Sequence, residues 1–312
     1  MEMTTLGRTG ARVSVAGLGC GGHSRLGLAK GKDEAHASRI VAEALDLGIN
    51  FIDTARAYGT EQAVGMGIAG RRDQVFLSTK TAAGARGQLL SAAELTESLE
   101  KSLNRLNTDY IDLFNLHGVQ LSQYRHCTEE LVPEMQRQQQ LGKIRFLGIT
   151  EVFARDTGHT MLQRALPDDL FDVVMVGFNL LNPSARERVF PLTQKYDVGT
   201  QIMFAVRRAL SQPDALQEVL ATLMESGEVD ASTLDGTDPL AFVTEHPEVN
   251  SLVEAAYRFC RHEPGADVVL TGTSDPDHLR DNVRAILSPP LPEDVQSRLR
   301  QIFGKVTSVS GN

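Results

Sequence analysis

The chain has 312 residues, 41% of them hydrophobic and 23% charged, which is the composition of an ordinary globular protein. Thirty-one basic against forty acidic side chains leave a net charge of -9, which argues against nucleic acid or an anionic membrane as partner. The opening residues lack the apolar core of a signal peptide and no apolar run reaches membrane-spanning length, so a soluble cytoplasmic protein is expected.

In chain order, the opening "TTLGRTGARVS" reads as a hairpin closed tightly at "RTGA". Next comes "AGLGCGGHS", in which Gly17, Gly19 and Gly22 match the dinucleotide pattern G-x-G-x-x-G. That pattern needs a helix directly after it, and "HSRLGLAKGKD" carries no 3.6-residue apolar stripe. Helical spacing begins only near Asp33, with Ile40, Val41, Ala44 and Leu45 on one face. The next acid at a strand end, Asp53, comes too late for a ribose. A Rossmann site is therefore rejected.

From there strands and helices alternate. The strand candidates are "SVAGLG", "INFIDTA", "QVFLSTK", "YIDLFNLH", "IRFLGIT", "FDVVMVGFN", "TQIMFAV" and "DVVLTGT". Helical patterns lie between them, such as "AAELTESLEKSLNRLN", where Leu95, Leu99, Leu103 and Leu106 share a face. Eight strands alternating with helices predict a (β/α)8 TIM barrel, an α/β fold, in a single domain over 1–312. Two regions break the rhythm. An insertion over 210–250 follows strand seven, with a helical piece in "DALQEVLATLMESG"; it reads equally as a site-shaping loop or as a solvated excursion. A last helix starts behind "PPLP" and leaves a flexible tail over 305–312. Cys20, Cys127 and Cys260 have no metal-ligand spacing and read as buried small hydrophobes in a reducing compartment.

Chemistry in such a barrel gathers where strands end. Those ends carry Asp53, Lys80 and His117, with Tyr58 five residues beyond the first. Each alone has an ordinary structural explanation, but together they bring a phenol, an ammonium, a carboxylate and an imidazole to three consecutive strand ends. The ammonium lowers the cost of a phenolate, the carboxylate holds the ammonium, and the imidazole can meet a substrate oxygen. The product is an acid poised beside a developing alkoxide.

On "GINFIDTARAYG", "STK" and "NLHG" the chain resembles the aldo-keto reductase family over nearly its whole length. The resemblance implies an oxidoreductase in which Asp53, Tyr58, Lys80 and His117 are the catalytic tetrad. Tyr58 is then the acid in reduction and the base in oxidation. It further implies a nicotinamide cofactor bound in extended form, NADP(H) by family default with NAD(H) open. Gly21 and Gly22 would let backbone approach the nicotinamide, and His23 and Ser24 would face the substrate. Phe204 stands where a stacking tyrosine is usual. Gly272, Thr273 and Ser274 would line the phosphate region, and Asp281 and Asn282 the adenine edge. Departures from the family pattern are Thr150 and Glu151 in place of a Ser-Asn pair and Met175 in place of a glutamine. His278 stands where an arginine meets a 2′-phosphate, with Arg280, Asp275 and Asp277 nearby. Glu151 is expected either at the nicotinamide carboxamide or turned outward as a cap on "VFARDTG". The expected substrate is a small polar carbonyl or alcohol, of sugar or hydroxyketone type. Two other readings stay open: a cofactor-sensing binding protein, and an aldolase forming a Schiff base on Lys80.

Overall fold

The computed structural model describes residues 1–85, 87–234 and 238–312. Strands β1 (Met3–Thr5) and β2 (Arg12–Ser14) form an antiparallel hairpin. Eight further strands close a parallel barrel: β3 (Ala16–Gly19), β4 (Phe51–Asp53), β5 (Phe76–Ala82), β8 (Ile111–Val119), β9 (Ile144–Glu151), β10 (Val173–Gly177), β11 (Gly199–Met203) and β12 (Val268–Thr271). They follow one another round the barrel in chain order, and β12 pairs with β3 to shut it. The remaining pair, β6 (Gly84–Ala85) and β7 (Gln88–Leu89), is a small hairpin after β5.

Helices α1 (Glu34–Asp46), α2 (Glu61–Gly67) and α3 (Ala92–Leu106) cover the first strands. Leu95, Leu99, Leu103 and Leu106 of α3 are buried as their spacing predicts, and Ser91 starts that helix with a reciprocal capping box to Glu94. Helices α4 (Leu121–His126) and α5 (Val132–Gln140) are joined by a π turn at Cys127–Leu131, and α6 (Thr160–Ala165), α7 (Ala185–Arg188) and α8 (Phe190–Tyr196) complete the middle of the chain. The last third holds α9 (Arg208–Ser211), α10 (Pro213–Glu225), α11 (Ala241–Thr244), α12 (Leu252–Arg261), α13 (Pro276–Leu287) and α14 (Glu293–Phe303).

The opening hairpin plugs the bottom of the barrel. Leu6 and Val13 join Phe51, Phe76, Leu113, Val173 and Val268 in one buried cluster. Its connection is longer than the tight turn expected, with a 3-10 turn at Gly7–Thr9 lying on the start of β11. Gly7 has φ +44, and a Cβ there would sit 2.3 Å from the backbone N of Gly199, so only glycine fits.

Parts of the insertion and of the tail are packed rather than solvated. Helix α10 buries Ala215, Leu216, Leu220 and Leu223, and Leu240 and Val243 are buried as well, so these parts of the insertion belong to the packed core. The tail packs against the barrel. Val306 is buried, and Glu228 of the insertion accepts from the Thr307 N–H at 2.8 Å and from the Ser308 hydroxyl. Asn182 Nδ2 donates to the Val309 carbonyl at 2.8 Å, Asn179 Nδ2 to that of Ser310 at 3.1 Å, and Ala209 N to that of Gly311 at 3.0 Å. Residues after the last helix thus serve as acceptors for buried asparagines, a role that composition does not reveal.

Candidate active site

The upper ends of β4, β5 and β8 deliver the expected side chains to one place. Register sets this: Asp53 pairs with Ser78, and Lys80 with Asn115, so alternate residues of adjacent strands point into the barrel together. Lys80 Nζ lies 2.7 and 2.6 Å from the two carboxylate oxygens of Asp53 and donates to the Thr54 carbonyl at 2.7 Å. Asp53 also accepts from the Ser78 hydroxyl at 2.8 Å, and Ser78 from Asn115 Nδ2 at 3.0 Å. Both ionic groups are buried, so the pair persists only because every oxygen and proton has a partner.

Burial acts on both members. It pulls the Lys80 ammonium down, but the Asp53 carboxylate outweighs it and holds the group above the ordinary lysine range. Burial pushes the Asp53 carboxyl up, against the opposing pull of Lys80. A lysine held protonated in this way is not a free amine, which counts against a Schiff base at this position.

Tyr58 comes from a single 3-10 turn, Arg56–Tyr58, just above Asp53. Its ring centroid is 5.0 Å from Lys80 Nζ, and its hydroxyl is 3.3 Å from His117 Nε2. Burial raises the phenol pKa, while Lys80 and Arg207 lower it. Burial, assisted by Lys80, depresses His117 to about 3, so its imidazole is neutral. A neutral imidazole carries one N–H and one bare nitrogen.

The glycine run of the first loop is explained here. A Cβ on Gly21 would lie 2.7 Å from two Tyr58 ring carbons, and Gly17 faces equally close side chains inside the barrel. The glycines make room for Tyr58 and the barrel interior. Gly22 has φ +72 and is exposed, as is His23, while Ser24 is half-buried at the same rim.

Other expected residues fall on the same face with partners of their own. Thr150 accepts from the Gly118 N–H at 2.7 Å, and among the described residues its hydroxyl proton has no acceptor. Gly272 is exposed beyond β12, and Thr273 and Ser274 lead into α13, with the Ser274 carbonyl 2.8 Å from His36 Nε2. Asp275 caps α13, accepting from the Asp277 and His278 N–H groups at 2.8 and 3.3 Å. Arg280 is tied to Glu43 and Asp277, and His278 is exposed. Asp281 pairs with Arg284 on the surface, and Asn282 Nδ2 donates to Thr271 Oγ1 at 2.9 Å. Met175 pairs with Gln201, whose buried amide oxygen and nitrogen have no partner among the described residues.

Glu151 is turned inward and does not cap "VFARDTG". Its buried carboxylate is 3.0 Å from His159 Nδ1 through both oxygens and accepts from the Gly177 N–H at 2.7 Å. Asp156 serves the start of the next helix instead, accepting from the N–H groups of Thr160 and Met161. The sequence reading missed His159 because its approach depends on a left-handed residue, φ +62, eight positions downstream.

Phe204 has φ +68, an unusual strain for an aromatic residue at a strand end. Asn179 helps to hold it by donating to the Phe204 carbonyl at 3.3 Å. Its ring meets that of Phe153 in a T-shaped contact, centroids 5.5 Å apart, and the guanidinium of Arg207 lies 3.8 Å from its centroid. Arg207 was not foreseen; a charged pair, "RR", inside the apolar "FAVRRAL" is the signal that could have found it.

Residues 17–303 match the model of the aldo/keto reductase family. The chain belongs to that family. Among similar proteins, aldo-keto reductase YhdN of Bacillus subtilis is 30% identical over 89% of this chain and 87% of its own. L-Galactose dehydrogenase of Arabidopsis thaliana is 36% identical over 48% of each chain. Of solved structures, the holo form of aldo-keto reductase AKR11C1 from Bacillus halodurans superposes with a TM-score of 0.75, at 28% identity over 98% of both chains. As an aldo-keto reductase, the chain is an oxidoreductase on a (β/α)8 barrel of a family that generally uses nicotinamide cofactors. No described helix is long and apolar enough to cross a membrane.

Proposed function

We propose that this aldo-keto reductase is a cytoplasmic enzyme that interconverts a small polar carbonyl compound and its alcohol, with Tyr58 moving the proton. The observation that carries the reading is the Tyr58 hydroxyl 3.3 Å from a neutral His117, above the buried Lys80–Asp53 pair. In reduction the Tyr58 O–H protonates the oxygen that becomes the alcohol. Lys80 and Arg207 stabilise the phenolate left behind, and neutral His117 can donate its N–H to the same substrate oxygen. In oxidation the roles reverse. Asp53 does not touch the reacting atoms; it keeps Lys80 charged and in place.

The residues present fit a nicotinamide nucleotide. Bare backbone at Gly22 and Gly272 lies on either side of the seam between β12 and β3, the Thr150 hydroxyl proton, with no acceptor among the described residues, suits a carboxamide oxygen, and Phe204 offers an aromatic surface. When bound, that group supplies or accepts the hydride. Gly21, Gly22, Thr150, Phe204 and Gly272 to Ser274 would hold it, with Asn282 and His278 toward the adenosine. NADP(H) remains the family default. The name of the galactose-oxidising relative, which matches 48% of the chain, supports a sugar-type substrate.

A panel of small hydroxyaldehydes, hydroxyketones and sugars, assayed with both cofactors, tests the reading. Turnover should appear in the panel, and Y58F should lower kcat by about 10²–10⁴-fold, the usual contribution of general acid catalysis. Cofactor affinity, read by calorimetry because the chain has no tryptophan, should hold in that variant. Near-normal turnover in Y58F, or none anywhere in the panel, would overturn it.

A further inference from the structure

Arg207 is the cation at this mouth that the chemistry above does not fully use. It follows β11, directly beyond the strained Phe204 loop, and is only partly exposed. Its guanidinium covers one face of the Phe204 ring at 3.8 Å. Across the mouth, its Nη1 stands 3.7 Å from where a Cβ on Gly22 would be. On the third side its own Cβ is 3.8 Å from the corresponding position on Gly311, so the tail backs it.

Among the described residues, no carboxylate pairs with this guanidinium and no carbonyl accepts from it; its aromatic contact satisfies none of its five N–H donors. Burial lowers its proton affinity, and the one charge opposing that is the phenolate of Tyr58. The neighbouring Arg208 behaves differently, reaching Gln212 at 3.3 Å and Glu218 at 3.9 Å on α10. Among the described residues, this half-buried arginine at the reacting end of the site thus has no anion. Arginine stays charged in proteins, and a buried cation is tolerated where an oxyanion completes its donors.

We propose that Arg207 is a specificity residue that holds an anionic oxygen group, a carboxylate or a phosphate, carried by the substrate at a distance from the carbon that reacts at Tyr58. The inference rests on the oxidoreductase reading above and narrows its substrate to an anionic carbonyl compound or alcohol. The diphosphate of a nucleotide cofactor has the same chemistry and is the other possible source of the anion. Arg207 Nη1 stands beside Gly22, and the adjacent Gly21 lies against the Tyr58 ring, which puts the guanidinium on the proton donor's side of the mouth and favours the substrate.

The test pairs anionic aldehydes with neutral counterparts: 4-oxobutanoate against butanal, and glyceraldehyde 3-phosphate against glyceraldehyde. In the native enzyme at least one anionic member should be preferred by about tenfold or more in kcat/KM, chiefly through KM, as a charge-assisted fork to arginine provides. R207M should bring that ratio close to one, and R207K should keep part of it. Calorimetry gives the cofactor affinities of the same proteins. A ratio near one in the native enzyme, or a preference that survives R207M, overturns the proposal. So does a loss of cofactor affinity in R207M with the substrate ratio intact, which assigns the guanidinium to the diphosphate. If no aldehyde in the set or in the wider panel turns over, the oxidoreductase reading fails separately. Butyrate and inorganic phosphate are then titrated into native and R207M protein. Binding that requires Arg207 supports the anion site, and no binding overturns it.

Discussion

Around His117 the balance of forces is readable residue by residue. The imidazole is largely buried and stands near the Lys80 ammonium, and both effects oppose a second proton. Its pKa in the folded protein is about 3, against an ordinary 6.5. Below pH 6.5 the unfolded chain therefore takes up a proton that the folded chain refuses. Stability is lost as pH falls from 6.5 toward 3, by at most ~5 kcal/mol from this group. H117Q removes the titrating group, so its unfolding free energy should fall less steeply over that window. Denaturant unfolding at a series of pH values checks it, and parallel curves for the two proteins would show that His117 is not the group involved. The same depressed pKa means that the pH–rate profile should carry no His117 limb between pH 5 and 8.

Two elements show where reading the sequence sufficed and where it stopped. The strands that bear Asp53, Lys80 and His117 were legible because an apolar run ending in a polar residue marks a strand end in a parallel barrel. Their register then brought the three together. The end of β9 was not legible. Glu151 follows an apolar strand just as Asp53 does, but its partner depends on the loop path that turns His159 back upon it, and that path lies in backbone angles rather than in residue type. With its carboxylate engaged by His159 and Gly177, E151Q should leave the ratio of oxidised to reduced cofactor affinity within about twofold. It should cost roughly 1–3 kcal/mol of stability, as expected when a buried charge-assisted bond is weakened. Calorimetry and urea unfolding separate the two effects; a large change in the cofactor ratio without loss of stability would place the carboxylate at the ring. Helix α13 offers the complementary case. Its N-terminus is already capped by Asp275, and Arg280 is held by Glu43 and Asp277, so a 2′-phosphate near this turn would find His278 exposed beside it. H278R should then tighten NADPH by ~1–3 kcal/mol and leave NADH nearly unchanged. Equal shifts in both dissociation constants would put the adenosine elsewhere.

At the scale of the whole molecule, the insertion and the tail are one device. Taken alone, the tail and the stretch of the insertion after its helical piece have the composition of surface segments: polar, with glycine and serine. Folded, the insertion's Glu228 holds Thr307 and Ser308, and the strand-end asparagines Asn179 and Asn182 hold Ser310 and Val309. Both asparagines are fully buried, and their amide oxygens are already used by the backbone N–H groups of Leu181, Asn182 and Ser184. The tail carbonyls therefore take amide protons that few other groups could reach. Asn179 also donates to the Phe204 carbonyl, so the tail is linked through one side chain to the strained residue beneath Arg207. Removing residues 307–312 should leave those amides short of an acceptor. At about 1–3 kcal/mol for each buried group left unsatisfied, the loss should approach ~2–6 kcal/mol, moderated where water enters. The truncated protein should still fold as a barrel, because the closed sheet, the hairpin plug and α14 all lie outside the deleted stretch. Its far-ultraviolet dichroism should match that of the full chain, while its urea midpoint falls and hydrogen exchange rises around Asn179, Asn182 and Phe204. An unchanged midpoint would mean that the tail contacts add nothing to stability and that water serves the asparagines equally well.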